Sequence, residues 1–202
     1  MIGLKNYYWY FKKAIPKKTC EDIIAVGNSY TQERGIVQGE QDGSISDASN
    51  IRKSQVTWLT DQWIYDLILP YIPIANKNAD WNFDWDWSES IQFTKYEAGE
   101  FYSWHSDDSV EPFGKDSHPN YKGKIRKLSA TVSLSDPNFY TGGDFELDLR
   151  NNRCGRNIIT VDEVKEQGTI IVFPSFVDHQ VRVIRSGKRV SLVIWNLGPP
   201  WK

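Results

Sequence analysis

Only three histidines occur in the 202 residues, and one of them begins the pattern His105-Ser106-Asp107 within YSWHSDDS, residues 102–109. On an extended strand, residues i and i+2 project from the same face, so His105 and Asp107 aim an imidazole and a carboxylate at one point. Alone, such a tripeptide also describes two solvated residues at a strand end. Asp108 falls on the opposite face and has no part in the pair. A second imidazole, His179, lies far downstream in FPSFVDHQVRVIRSGKRVSLVIW. Two neutral imidazoles and one carboxylate form the facial triad that suits non-haem Fe(II) and leaves coordination positions open. The pattern has no thiolate, which argues against a structural zinc site. Ten residues after His179 stands Arg189. A hairpin turn at RSGK would return it on the strand next to His179, facing the same interior. A buried guanidinium there can bind a carboxylate bidentately. A metal chelated by one end of a 2-oxo diacid, with the arginine holding the other end, accounts for all four residues. The third histidine, His118, sits in the loop GKDSHPNYKG and reads as solvated.

These side chains need a scaffold. KKTCEDIIAVGNSYTQERG, residues 17–35, predicts a helix with Thr19 as N-cap and Gly35 as stop. SQVTWL predicts a short strand. TDQWIYDLILPYIPIANKN predicts a second helix, capped by Thr60 and interrupted near Pro70 and Pro73. From Asp80 onward the period becomes two. Trp81, Phe83, Trp85 and Trp87 alternate with Asn82, Asp84, Asp86 and Ser88, which predicts a strand with one apolar and one wet face. SIQFTKYEAGEFYSWHSD continues as strand, Gly-containing turn, strand. KLSATVSLSD, GGDFELDL, GTIIVFPS, HQVRVIRSG and KRVSLVIWNL follow, each short and β-rich. Gly142 and Gly143 predict a tight turn. The expected class is α+β, mainly β: a jelly-roll double sheet with the N-terminal helices packed on one sheet. Such a sandwich has a mouth where ligands bind. With no repeat, low-complexity run or linker, residues 1–202 read as a single domain. Within it, 1–80 form a helical support region and 81–200 the jelly-roll core. Residues 106–127 make a long polar connection between strands, and such loops often act as lids.

A net charge of −2 and a pI of about 5.9 leave no general basic field, so no nucleic-acid partner is expected. Cys20 and Cys154 form neither a metal pair nor a disulfide framework, which fits a reducing compartment. No segment approaches ~18 apolar residues, and the N-terminus lacks an apolar signal core. A cytoplasmic protein with no membrane partner is the expectation. The nine Trp and ten Tyr suit both a core and a substrate groove.

Taken in order, YEAGEFYSWHSD, RKLSATVSLSDPNFYTGGDFEL and GTIIVFPSFVDHQVRVIRSGKRVSLVIW resemble the 2-oxoglutarate- and Fe(II)-dependent dioxygenases. Within them the prolyl 4-hydroxylase-like branch is the most similar, and the resemblance spans residues 91–195. It implies a double-stranded β-helix core in which His105, Asp107 and His179 are the metal ligands and the catalytic centre. It implies that Arg189 pairs with the distal carboxylate of 2-oxoglutarate. It also places Tyr96 and Tyr102, nine and three residues before His105, at the cosubstrate or substrate, and Thr131 at a pocket-lining position. Relatives often carry an aromatic residue where Ser133 lies, so this pocket would be hydrogen-bonded differently.

The reaction implied is hydroxylation of a prolyl residue in a peptide or protein, with decarboxylation of 2-oxoglutarate to succinate. Fe(II), 2-oxoglutarate, O2 and ascorbate are the implied cofactors. Family members that halogenate tend to lack the acid at position 107, so Asp107 points to hydroxylation. The alternatives are a hydroxylase of a free amino acid or other small molecule, and an oxidative demethylase of nucleic acid. The demethylases usually carry a second arginine six residues after the first, where this chain has Trp195. A lectin-like binding module on the same sandwich would not need the three ligands and Arg189 together.

Overall fold

Strands dominate residues 4–35, 51–108, 111–115, 117–149 and 155–201, the parts of the chain that the computed structural model describes. In chain order these hold β1 (Trp9–Phe11), α1 (Lys17–Ser29), β2 (Glu33–Arg34), β3 (Arg52–Lys53), β4 (Gln55–Leu59), α2 (Gln62–Ile68) and α3 (Tyr71–Asn78). Next come β5 (Trp87–Ser88), β6 (Ile91–Tyr96), β7 (Phe101–His105), β8 (Ile125–Ser133), β9 (Tyr140–Gly142) and β10 (Phe145–Asp148). The last are β11 (Ile158–Thr160), β12 (Ile170–Pro174), β13 (Asp178–Val181), β14 (Ile184–Gly187) and β15 (Arg189–Gly198). The larger sheet runs β1-β12-β8-β15-β6-β4-β2, with β5 added along β15, and the smaller runs β11-β10-β13-β7-β3. β9 and β14 pair with each other. The chain crosses between the sheets at several connections: β6 and β7, joined through Gly99 at φ 84°, lie in different sheets, as do β7 and β8, and β12 and β13. That alternation makes a double-stranded β-helix, as expected.

Polarity along the central strands explains the layering. On β15, Val190, Leu192 and Ile194 turn to the helices, where they join Phe93, Leu128, Ala130, Val132, Ile23 and Ile68 in one core. Each fully buried aliphatic side chain of this kind contributes about 1.5–3 kcal/mol. The alternate residues face the smaller sheet, where Phe145, Leu147, Ile171 and Phe173 form a second core. Gly27 of α1 lies so close to the Phe93 ring that a Cβ would collide with it, which lets the helix settle onto the sheet. The helices thus buttress the larger sheet from behind, and the first 80 residues also supply it with β1, β2 and β4.

Three expectations about local structure need correction. Helix α1 starts after Pro16, not at Thr19, because the fixed proline φ of −59° already leads into the first turn, and Cys20 donates its N–H to Pro16. The helix ends at Ser29, and Gly35 instead donates its N–H to Ser54 beyond β2. The second helical stretch is capped at Asp61 and breaks only at Pro70, since Pro73 falls in the first turn of α3, where a missing N–H removes no bond. The segment after Asp80 is not a regular strand, apart from Trp87–Ser88. Asp80 and Asn82 adopt left-handed φ values of 64° and 54°, and the Asn76 carboxamide satisfies both backbone groups of Phe83. The aromatic alternation there records burial against the helical core without sheet pairing. No described helix is long and apolar enough to cross a membrane. Cys154 and parts of the expected lid, residues 109–110 and 116, lie outside the described residues.

Candidate metal centre

His105 closes β7 and His179 lies on β13, and the two are register partners across the ladder. Their ring centroids are 4.1 Å apart. Asp107 lies beyond the end of β7, in a bend, with its N–H donated to the Ser175 carbonyl at 2.9 Å. The same-side projection expected from i, i+2 spacing is therefore reached without a continuing strand. Asp107 Oδ1 is 3.8 Å from His105 Nε2, and its Oδ2 is 3.6 Å from His179 Nε2. One ligand atom from each residue lies within 4.8 Å of the others, and this is the one such group among the described residues.

The histidines are oriented alike. His105 Nδ1 meets the Ser103 carbonyl at 2.8 Å, and His179 Nδ1 meets the Val177 carbonyl at 3.0 Å. A carbonyl only accepts, so each Nδ1 carries the hydrogen and each Nε2 presents a lone pair to the centre. Burial, then the neighbouring His179, push His105 down to about 3, which keeps it neutral. For Asp107, burial works to raise the pKa, but His179, His105 and Arg126 outweigh it and hold the carboxyl below its ordinary value. Its Oδ2 is buried with no hydrogen-bond partner. A dry carboxylate oxygen between two imidazole lone pairs is stable only with a cation to share, so these three residues fit a divalent metal.

Arg189 does not lie beside His179. β14 leaves the smaller sheet to pair with β9, and β15 enters the larger one between β6 and β8. Arg189, partnered in register with Tyr96, faces the histidines across the space between the sheets. It is 3% exposed, donates from Nη1 to Ser191 Oγ at 3.2 Å, and has Nη2 buried without a partner. No carboxylate among the described residues pairs with it. Gly143, at φ 66°, passes so near that a Cβ would sit 3.0 Å from Arg189 Cδ, so the tight turn expected at Gly142 and Gly143 also closes over the arginine stem. The space between the sheets, about 410 Å³ not filled by protein atoms and partly open to solvent, connects Arg189 to His105, Asp107 and His179. An orphaned guanidinium at one end and an orphaned carboxylate at the other fit a small diacid that also touches a metal.

The remaining expected residues line this cavity too. Tyr96 is 3% exposed, with the Arg189 guanidinium 5.7 Å from its ring. Burial raises its pKa despite Arg52 and Arg189 nearby. Thr131 is buried on the β8 floor. Tyr102 stacks on His105 with centroids 3.5 Å apart and planes 12° from parallel. Residues three apart on a regular strand face opposite sides, so this contact needs a cause. The register supplies it: His179 pairs with His105 and Val181 with Tyr102, so β7 carries one extra residue, a bulge that turns Tyr102 onto the ligand side. Burial pushes Tyr102 up to about 12, leaving its phenol a donor. Ser133 donates to the Val164 carbonyl and is not among the residues lining the cavity. His118 is exposed and Asp108 stays out of the cluster.

Sequence reading missed Arg52, Gln92, Thr94 and Trp195, which also line the cavity. Arg52 bridges the sheets, donating to Ser54 Oγ at 2.8 Å and Gln92 Oε1 at 2.7 Å while lying 4.6 Å over the Tyr102 ring. A signal was present. Gln92, Thr94 and Tyr96 alternate with Ile91 and Phe93 in a strand buried throughout its middle, and a polar face on a buried strand marks an internal cavity.

Residues 91–196 match the model of a family described as the 2OG-Fe(II) oxygenase superfamily. A PKHD-type hydroxylase of Pseudoalteromonas atlantica is 31% identical over 106 residues, which are 52% of this chain and 41% of that protein. The PKHD-type hydroxylase YbiX of Escherichia coli O157:H7 is 32% identical over 103 residues, 51% of this chain and 40% of its own. The match thus spans less than half the length of these relatives. Among solved structures, the viral collagen prolyl hydroxylase of Paramecium bursaria Chlorella virus-1 superposes with a TM-score of 0.64 at 17% identity, covering 96% of this chain and 97% of that one. A Pseudomonas putida prolyl-4-hydroxylase gives 0.62 at 20% identity, covering 95% and 92%. At those identities the superpositions speak for the fold.

Proposed function

The chain belongs to the 2OG-Fe(II) oxygenase superfamily, and on that premise we propose that it hydroxylates a prolyl residue in a peptide or protein. The observation that carries the oxygenase chemistry is the pairing of two orphaned buried atoms in one cavity, Asp107 Oδ2 and Arg189 Nη2. His105, Asp107 and His179 would hold Fe(II). When bound, the iron supplies oxidation of a substrate C–H bond by O2, coupled to conversion of 2-oxoglutarate to succinate and CO2. Arg189 holds the distal carboxylate of the cosubstrate through its unused guanidinium edge. Tyr96 and Thr131 flank that carboxylate and fix its direction. Tyr102, its phenol protonated and its ring locked on His105, walls the opening where substrate enters. Ascorbate would serve as an auxiliary reductant. Residues 1–202 would act as one dioxygenase domain, with the helices holding the larger sheet rigid behind the site.

The prolyl substrate rests on the names of the relatives and on the fold shared with prolyl hydroxylases. A panel of proline-containing peptides tests it against free amino acids, with succinate release and a mass gain of one oxygen as readouts. Oxygen incorporation into a prolyl peptide is the expected result. Turnover with free amino acids alone would move the substrate to that class.

A further inference from the structure

The three residues of the centre are held in unequal ways. His105 and His179 sit in a strand ladder, each with its Nδ1 on a backbone carbonyl two residues back. Asp107 has no ladder, because β7 ends at His105. What fixes it comes from β8 and from the turn after β12. The Ser175 carbonyl accepts the N–H groups of both Asp107 and Asp108, at 2.9 and 3.1 Å. Arg126 Nη1 donates to the Asp107 carbonyl at 3.3 Å. The hydroxyls of Ser129 and Ser175 lie 2.9 Å apart, and both residues are wholly buried. Ser175 is itself anchored by donating its N–H to the Lys127 carbonyl at 3.0 Å.

Two fully buried hydroxyls cannot both donate to each other. One donates and the other keeps a hydrogen to give elsewhere. Ser129 shares its face of β8 with Thr131, which lines the cavity beside Asp107, so the hydroxyl left with a free hydrogen lies on the carboxylate's side of the sheet. We propose that Ser129 and Ser175 are positioning residues for Asp107, forming a relay in which Ser175 donates to Ser129 and Ser129 donates to the carboxylate. The relay takes up one lone pair of Asp107 and leaves Oδ2 pointed at the metal position. It does for the carboxylate what the backbone carbonyls do for the imidazoles. This inference rests on the reading of Asp107 as a metal ligand.

The test is binding of Mn(II) alone, followed by the loss of its free-ion electron paramagnetic resonance signal. It is run on wild type, Ser129→Ala, Ser129→Thr and Ser175→Ala, with thermal unfolding of each metal-free protein alongside. Ser129→Ala is expected to weaken Mn(II) binding about 10–100-fold, as outer partners of metal ligands usually do. Ser129→Thr, which keeps the hydroxyl, is expected to recover most of the affinity. A purely structural role would lower the unfolding temperature of Ser129→Ala and leave its Mn(II) affinity at the wild-type value, which overturns the relay. Should Ser129→Ala fail to fold, Ser175→Ala carries the same test, because it removes the outer hydroxyl and keeps the backbone carbonyl. Weakened binding supports the relay, and unchanged binding overturns it. If wild type itself takes up no Mn(II), the metal reading falls and the relay with it.

Discussion

His105 and His179 stand directly opposite each other on β7 and β13, and their rings are 4.1 Å apart at a tilt of 53°. Burial, then the neighbouring His179, holds His105 neutral with Nε2 turned to the centre. One cross-strand pair thus sets the geometry of the centre and the protonation of His105 together. Asp107, from outside the ladder, completes it on the third side.

Arg189→Ala is expected to raise the apparent KM for 2-oxoglutarate by about 30–1000-fold, since a buried bidentate contact to a carboxylate is worth roughly 2–4 kcal/mol. Binding of metal alone should not change, because Arg189 makes no contact with the three ligands. Steady-state succinate release checks the first point. A wild-type KM would remove Arg189 as the anchor.

Tyr102 holds the His105 ring by its face rather than by its hydroxyl. Tyr102→Phe should therefore keep wild-type Mn(II) affinity, while Tyr102→Ala should weaken it by a few fold, in line with about 0.5–1.5 kcal/mol for a stacked aromatic pair. Titration of both variants checks this. Equal affinity in the Ala variant would show the stacking to be incidental.

Arg126 is held by Glu89 through contacts of 2.6 and 2.9 Å and stacks 3.9 Å from the Trp195 ring. Burial works to lower its pKa, and the Glu89 carboxylate more than offsets that. Glu89→Ala would remove the ion-pair partner of the buried guanidinium and should cost about 3 kcal/mol of stability. Urea denaturation checks this. A loss under half that size would mean that water or another acid takes the place of Glu89.

Cys20 is wholly buried, and burial raises its thiol from 9.0 to about 11. A group with a raised folded-state pKa contributes stability that is fully present below the unfolded value and lost as pH rises through the folded one. The contribution of Cys20 should hold up to about pH 9 and fade toward pH 11. Melting temperatures of wild type and Cys20→Ala across that range should converge as pH rises. Parallel curves would contradict it.

Much of the site was legible because its chemistry follows short spacings. His105, Asp107, His179 and Arg189 each announce a residue type that a buried strand seldom carries without a partner. Less legible was how they meet. The bulge that puts Tyr102 on the ligand side depends on a register mismatch between β7 and β13, and no local pattern encodes it. Arg189 reaches the site from the opposite sheet, since the intervening β14 pairs with β9, a pairing between segments far apart in sequence. Arg52 sits on a two-residue strand whose neighbours offer no period to read. The aromatic run from Trp81 to Trp87 had the alternation of a strand, but Asn76 replaced the partner strand it would have needed.

The central claim is that one cavity binds Fe(II) through His105, Asp107 and His179 and 2-oxoglutarate through Arg189. An anaerobic titration with both, followed by visible absorption, tests it most directly, because a 2-oxo acid chelated to Fe(II) gives a metal-to-ligand charge-transfer band. Wild type should develop the band to saturation at one equivalent of iron, and His179→Ala should not, while His118→Ala should match wild type. Folded wild-type protein that shows no band with both components present would contradict the claim.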